Sequence, residues 1–138
     1  MKHVSGEEAV AEYEKWNADA MSDVEYVDSI IAAERKKDPE ALFTDLDTLT
    51  QWLARSGELV SDAEFYYDLV LGYFTEQTAL TNNFPPSVTS SIARGKAADV
   101  KRIYRRIERQ NRALVHTIDA LRTLMSYQKE MHKKTGGQ

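Results

Sequence analysis

The sequence predicts an all-α protein in which long antiparallel helices form a coiled-coil-like bundle. Apolar residues recur at alternating intervals of four and three over most of the chain, which is typical of helices that pack along a seam. No stretch shows the alternation of apolar and polar residues that indicates a strand. Two prolines and paired asparagines in residues 81–87 give the strongest loop signal. We therefore expect one domain over residues 1–138, with a helix in each of residues 1–37, 38–81 and 87–134.

The first of these regions is acidic and begins like a helix. Ser5 and Gly6 precede two glutamates, which is favourable because acids in a first turn complement the helix dipole. Residues 21–23 indicate a kink or a short break. The apolar residues at helical spacing are Ala9, Tyr13, Trp16, Ala20, Val24, Val27 and Ile31.

The second region starts with a strong helix signal. Asp38 can cap the helix, and Pro39 suits its first position. The seam continues through Ser56 and Gly57, so we favour one helix to about Leu80, in which the glycine costs ~1 kcal/mol relative to alanine. The alternative is two helices that meet at the glycine. The seam residues are Leu42, Leu46, Leu49, Leu53, Ser56, Val60, Ala63, Tyr67, Val70 and Phe74.

The third region is predicted to be one long helix whose seam contains a polar residue, Asn111. A polar seam residue usually determines the register or the number of chains. A helix of 40 residues is about 60 Å long, so three such helices are expected to extend their seams into contacts between chains. We therefore predict a homo-oligomer. Its predicted seam consists of Tyr67, Phe74, Tyr104, Ile107, Asn111, Leu114, Ile118, Leu121 and Met125.

Charge is unevenly distributed along the chain. The formal net charge is −4, but the chain from Val88 onward has twelve Lys/Arg and four Asp/Glu, which leaves residues 1–87 strongly acidic. Arginine binds phosphates with two parallel hydrogen bonds, and most of these cations are predicted to point away from the seam. Their alternative role is to form a solvated face or to neutralise an acidic helix of the same chain. The candidate nucleic-acid-binding residues are Arg94, Lys96, Lys101, Arg102, Arg105, Arg106, Arg109, Arg112, Arg122 and Lys129.

The end of the third helix resembles a known family. Residues 121–130 read Leu-Arg-Thr-Leu-Met-Ser-Tyr-Gln-Lys-Glu and follow a long basic helix. This arrangement is similar to small helical recombination mediators of phages and mobile elements, and it covers about the C-terminal third of the chain. The resemblance implies an oligomer that binds single-stranded DNA and acts with a recombinase or another protein. By position it indicates Arg122, Ser126 and Lys129.

The sequence contains no pattern of a catalytic or metal site. There is no cysteine, and the three histidines are far apart. Neither a phosphate-binding glycine loop nor a nucleophile elbow occurs. We therefore predict a protein that is not an enzyme, with no catalytic residues, no metal and no cofactor. No apolar run approaches the roughly 20 residues of a membrane span. With no apolar signal region at the N-terminus, a cytoplasmic protein without membrane contact is expected.

Three functions are compatible with these patterns. The first is a non-enzymatic accessory protein of phage or mobile-element recombination or replication, which binds the phosphate backbone of single-stranded DNA through its arginine-rich helix. The second is a structural or adaptor coiled-coil protein that binds only other proteins. A third is an inhibitor whose acidic half imitates DNA. An exposed, continuous basic surface favours the first function, whereas basic residues paired with acidic helices favour the second.

Overall fold

The computed structural model describes the backbone of residues 6–136 and the side chains of residues 6–134, and all regular structure in that range is helical. The all-α prediction is therefore confirmed for the described part of the chain. Four helices follow one another: α1 (Gly6–Ala32), α2 (Pro39–Thr81), α3 (Pro86–Lys96) and α4 (Ala98–Gly136).

The helices pack as an antiparallel bundle centred on α2. Tyr13 of α1 packs near Val70 of α2, whereas Val27 of α1 packs near Leu49, so the two helices run in opposite directions. On α4, Val100 lies in the Val70 cluster at one end, and Leu114 and its neighbours lie in the Leu49 cluster at the other. Helix α4 is therefore antiparallel to α2 and parallel to α1.

Helix α1 is continuous from Gly6 to Ala32, so residues 21–23 do not break the helix. The proposed cap at Ser5 lies outside the described residues. The buried residues of α1 recur at helical spacing, because the helix presents one apolar stripe to α2 and α4. They are Ala9, Tyr13, Ala20, Val24 and Val27.

Helix α2 begins as predicted. The Asp38 carboxylate accepts a hydrogen bond of 3.2 Å from the backbone N–H of Ala41, and Pro39 occupies the first turn. The helix then continues through Gly57 to Thr81, which confirms one helix and excludes the alternative of two. A Cβ added at Gly57 would meet no atom within 4 Å, so no close contact requires glycine there.

The predicted helix over residues 87–134 is divided at Ala97, and the expected number of three long helices was therefore wrong. The backbone N–H of Ala97 still donates to Ala93 across 3.0 Å, but Ala97 adopts φ −90° and ψ 7° and so leaves helical geometry. Gly95 precedes the break, and glycine lowers helix stability by about 1 kcal/mol relative to alanine. Ala93 and Ala97 are both fully buried, which gives α3 and α4 a small contact surface at this bend.

The predicted seam forms the core of a single chain. Ile107 packs with Ala20 and Val24 of α1 and with Leu59 of α2, and Leu114 lies in the cluster around Leu49. The seam residues of the three long helices are therefore covered by helices of the same chain. The prediction of a homo-oligomer, which assumed that these seams continue into contacts between chains, loses that argument. Ile107, Leu114, Ile118 and Leu121 are buried, whereas Tyr67, Phe74, Tyr104, Asn111 and Met125 are half-buried.

Candidate nucleic-acid interface

Four arginines of α4 form an outward surface, which we call the arginine face: Arg102, Arg105, Arg109 and Arg112. They recur at intervals of three and four and lie on the side of the helix opposite the buried Ile107. All four are exposed. At 1.5 Å per residue the face extends over about 15 Å.

In the part of the chain that the structure describes, three residues of the arginine face have no acidic partner. Within residues 6–134, no Asp or Glu oxygen lies within the 4.0 Å ion-pair distance of Arg105, Arg109 or Arg112. The Nε of Arg109 donates to the backbone carbonyl of Arg105 across 3.4 Å, which leaves its other guanidinium donors available. Arg102 lies 3.3 Å from Asp99, but both side chains are largely exposed, at 75% and 88%, so the pair is weak.

Arg106 points elsewhere, although it lies in the same run of cations. Its Nη2 donates to an oxygen of Asp28 across 3.0 Å, and its Nη1 lies 3.8 Å from the sulfur of Met21. Both partners belong to α1. Arg106 therefore joins α4 to α1 and is not part of the arginine face.

The Asp28 carboxylate also accepts a hydrogen bond from Gln110, a buried residue that the sequence analysis did not identify. Gln110 is 5% exposed, and its amide nitrogen donates to the carbonyl of Val24 across 2.7 Å and to Asp28 across 2.8 Å. Asp28 thus bridges Gln110 and Arg106. Because α4 packs against two helices, residues at both edges of its seam are buried. Residues 107, 110 and 114 follow one another at intervals of three and four, and this helical spacing could have identified Gln110 as a buried position.

The lysines at the start of the basic region lie over aromatic rings. The Nζ of Lys101 is 6.0 Å from the centre of the Tyr67 ring, and that of Lys96 is 5.9 Å from the centre of the Phe74 ring. These are cation–π distances. Lys101 is half-buried, whereas Lys96 and its α3 neighbour Arg94 are exposed. Arg94 and Lys96 lie on α3, before the bend at Ala97, and are therefore not part of the arginine face.

Tyr104 is half-buried and packs inside the bundle. Its ring is stacked on Tyr67 with the centres 6.1 Å apart and the planes 4° from parallel. Burial raises the pKa of Tyr104, as do the nearby carboxylates of Glu108, Glu64 and Asp68. The packing role favoured by its seam position is therefore what the structure shows.

The residues indicated by the family resemblance lie apart from the arginine face. Arg122 is 4.0 Å from Asp119 and exposed, and Lys129 is about 26 Å further along α4 than Arg112. Gln128 donates to the carbonyl of Lys37 across 2.7 Å and so holds the end of α4 against the α1–α2 loop. A groove of about 810 Å³ lies there, lined by Lys37, Pro39, Met125, Ser126, Tyr127, Gln128, Lys129, Met131 and His132.

Comparison with protein-family models, curated proteins and solved structures gave no match. None of the described helices is both long and apolar enough to cross a membrane. Among residues 6–134, no three acidic or histidine side chains are grouped so that they could hold a metal ion. Any functional assignment therefore depends on the geometry of the side chains themselves.

Proposed function

We propose that the protein binds the phosphate backbone of single-stranded nucleic acid through the arginine face and acts without catalysis. The main support is that Arg105, Arg109 and Arg112 have no acidic partner within residues 6–134, although the sequence has 22 acidic and 18 basic residues. An acidic chain has ample carboxylates to neutralise a basic helix. Instead, three adjacent guanidinium groups stay exposed, and this arrangement suits an external polyanion.

The chemistry of these side chains favours phosphate over other anions. A guanidinium presents a planar fork that matches two phosphate oxygens, and several forks in one line match the repeated charge of a nucleic-acid strand. The chain has no helix-turn-helix or zinc-finger pattern for reading base edges, so contacts along the backbone are favoured over sequence recognition. A role in phage or mobile-element recombination rests on the resemblance of residues 121–130 and remains part of this proposal.

A salt titration with a labelled single-stranded oligonucleotide tests the proposal. Each phosphate neutralised on a single strand contributes roughly −0.7 to the slope of log affinity against log salt. We expect the double variant Arg105→Ala, Arg109→Ala to bind more weakly and to flatten the slope by about one unit, whatever the sequence of the oligonucleotide. Fluorescence anisotropy at several salt concentrations measures both quantities.

Arg55 provides the matched control. Its guanidinium is bound to Asp23 and to Glu58, each at 3.0 Å, and it lies on α2, outside the arginine face. The variant Arg55→Ala should therefore keep the wild-type salt slope. Unchanged affinity in the double arginine variant would show that the arginine face is not part of the binding site.

The Arg106–Asp28 pair supports a second candidate, a structural or adaptor protein that binds only proteins. This pair shows that the acidic α1 neutralises at least one cation of the basic region. If the cations of α4 serve only to neutralise the acidic first half of the chain, the wild-type protein should not bind the oligonucleotide at any salt concentration. The same anisotropy measurement thus distinguishes the two candidates.

A further inference from the structure

The groove at the end of α4 has walls from two parts of the chain that are far apart in sequence. One wall is the end of the α1–α2 loop with the first residue of α2, and the other consists of α4 residues between Met125 and His132. The side-chain amide of Gln128 donates to the carbonyl of Lys37 and so holds the two walls together. The volume of about 810 Å³ lies in the range of small-molecule sites, roughly 300 to 1,000 Å³.

The groove carries positive charge. Lys37 and Lys129 line it, and none of its described lining residues is Asp or Glu. The acids next to these lysines in the sequence, Asp38 and Glu130, do not line the groove, and the Asp38 carboxylate caps α2. Within residues 6–134, neither lysine lies within the 4.0 Å ion-pair distance of a carboxylate. In a chain of net charge −4, this groove is therefore a local site that favours an anion.

The same groove has side chains that suit an aromatic ring. Tyr127 is 60% exposed and Met131 42%, and Met125 lies in the same wall. Tyr127 contacts no aromatic ring of another described residue, so a ligand ring can stack on it. Methionine sulfur also makes favourable contacts with aromatic rings, and its flexible side chain adapts to the shape of a ligand.

We propose that this groove binds a small aromatic anion, with its ring against Tyr127 and the two methionines and its anionic group between Lys37 and Lys129. The two lysines select the charge of the ligand, and the exposed ring selects its shape. A neutral ligand would form no charge-assisted hydrogen bond with the lysines, and an aliphatic one would not stack on Tyr127. This site is separate from the arginine face, because Lys129 is about 26 Å further along α4 than Arg112.

A fluorescence titration of the full chain with anilinonaphthalene sulfonate, an aromatic anion whose emission rises in an apolar site, tests the proposal. We expect saturable binding of one probe per chain. The double variant Lys37→Ala, Lys129→Ala should raise the dissociation constant of the probe about tenfold, because hydrogen bonds to its charged group are lost. Tyr127→Ala should raise it about fivefold, because the ring loses its stacking partner.

The matched controls lie outside the groove. Lys15→Ala removes the same charge from an exposed position of α1, and Phe65→Ala removes a ring of almost equal exposure, 59%, from α2. Both should keep the wild-type affinity. All altered side chains are exposed, and Lys37→Ala retains the backbone carbonyl that accepts from Gln128. Circular dichroism and thermal melting of every variant should therefore resemble the wild type.

Phenylnaphthylamine, which has the same rings without the sulfonate, tests the need for a negative charge and should bind about tenfold more weakly. The proposal would be overturned by a wild-type chain that binds no probe saturably, by groove variants with wild-type affinity, or by equal binding of the neutral probe. An added single-stranded oligonucleotide should leave the probe bound, and displacement of the probe would assign the groove to nucleic acid instead. An oligonucleotide that does not bind, with the probe still bound, would count against the arginine face alone.

Discussion

The side-chain amide of Asn111 donates a hydrogen bond of 3.2 Å to the hydroxyl of Ser56, where α4 crosses the middle of α2. Ser56 is fully buried among the apolar residues of the core. A shift of either helix by one turn would separate the two polar groups and leave both against apolar side chains. The pair therefore favours one register of the antiparallel α2–α4 contact.

Removing one member of this pair should cost more than removing both. Asn111→Ala leaves the buried Ser56 hydroxyl without its partner, and we expect it to lower the free energy of unfolding by about 1–3 kcal/mol. The double variant Ser56→Ala, Asn111→Leu replaces both with apolar groups and should lie within about 1 kcal/mol of the wild type. Urea denaturation of these two variants and of the single variants Ser56→Ala and Asn111→Leu completes the double-mutant cycle. Additive effects would show that the two residues are not coupled.

Leu114→Asp should unfold the chain. Leu114 is fully buried and packs in one cluster with Val27 of α1 and Leu49 of α2. A carboxylate there loses its hydration without gaining a partner, which costs several kcal/mol. We expect circular dichroism to show greatly reduced helicity and no cooperative melting. Leu114→Ala, with an expected cost of about 2–5 kcal/mol, is the milder comparison. Full helicity in the aspartate variant would contradict the burial of this residue.

Several of these features could be predicted from the sequence because they follow from local chemistry. Asp38 and Pro39 determine where α2 begins, and the uninterrupted seam on both sides of Gly57 outweighs the low helix propensity of one glycine. The bend at Ala97 was missed because the seam spacing continues across it almost unchanged. Whether a seam is filled within a chain or between chains depends on how the helices fold back, and spacing alone carries no information about that.

The sequence predicted that an outward basic surface exists more accurately than it predicted which cations belong to that surface. Positions opposite the seam follow from helix geometry, and the four residues of the face are exposed as that geometry requires. Arg106 lies about a quarter of a turn from the middle of the arginine face, at the edge of the contact with α1. Only the position of α1 reveals that Asp28 lies within 3.0 Å of it, and the same contact explains why Gln110 is buried.

Asp28 therefore offers a way to change the charge beside the arginine face. Asp28→Ala removes the acid that holds Arg106 and leaves its guanidinium available. We expect oligonucleotide affinity to rise by up to about fivefold, in line with a surface ion pair worth less than 1 kcal/mol. Asp23→Ala is the matched control, since Asp23 lies on the same helix but pairs with Arg55. Equal affinities of the two variants in anisotropy measurements would show that Arg106 stays outside the site.

Alkaline pH should destabilise the fold through Tyr13. Burial raises the pKa of Tyr13, and the carboxylates of Asp99 and Glu14 raise it further. The unfolded chain then loses its phenolic proton first, at a pKa of about 10. The stabilisation is complete below that pH and is lost as the pH rises through the higher pKa of the folded state. We expect the melting temperature to fall above about pH 10, and to fall less steeply in Tyr13→Phe. Identical pH profiles would exclude this tyrosine as the cause.

Helix α4 carries the arginine face on its outer side and buried residues such as Ile107 and Leu114 on its inner side, so one helix contributes to both the core and the proposed binding surface. An anion that binds only the ordered arginine face must therefore shift the unfolding equilibrium of the whole domain by mass action. At a ligand concentration 100 times its dissociation constant, the folded state gains about 2.7 kcal/mol. A polyanion in the cell would then act as a folding ligand, and the fraction of chain open to proteolysis would depend on how much of it is present.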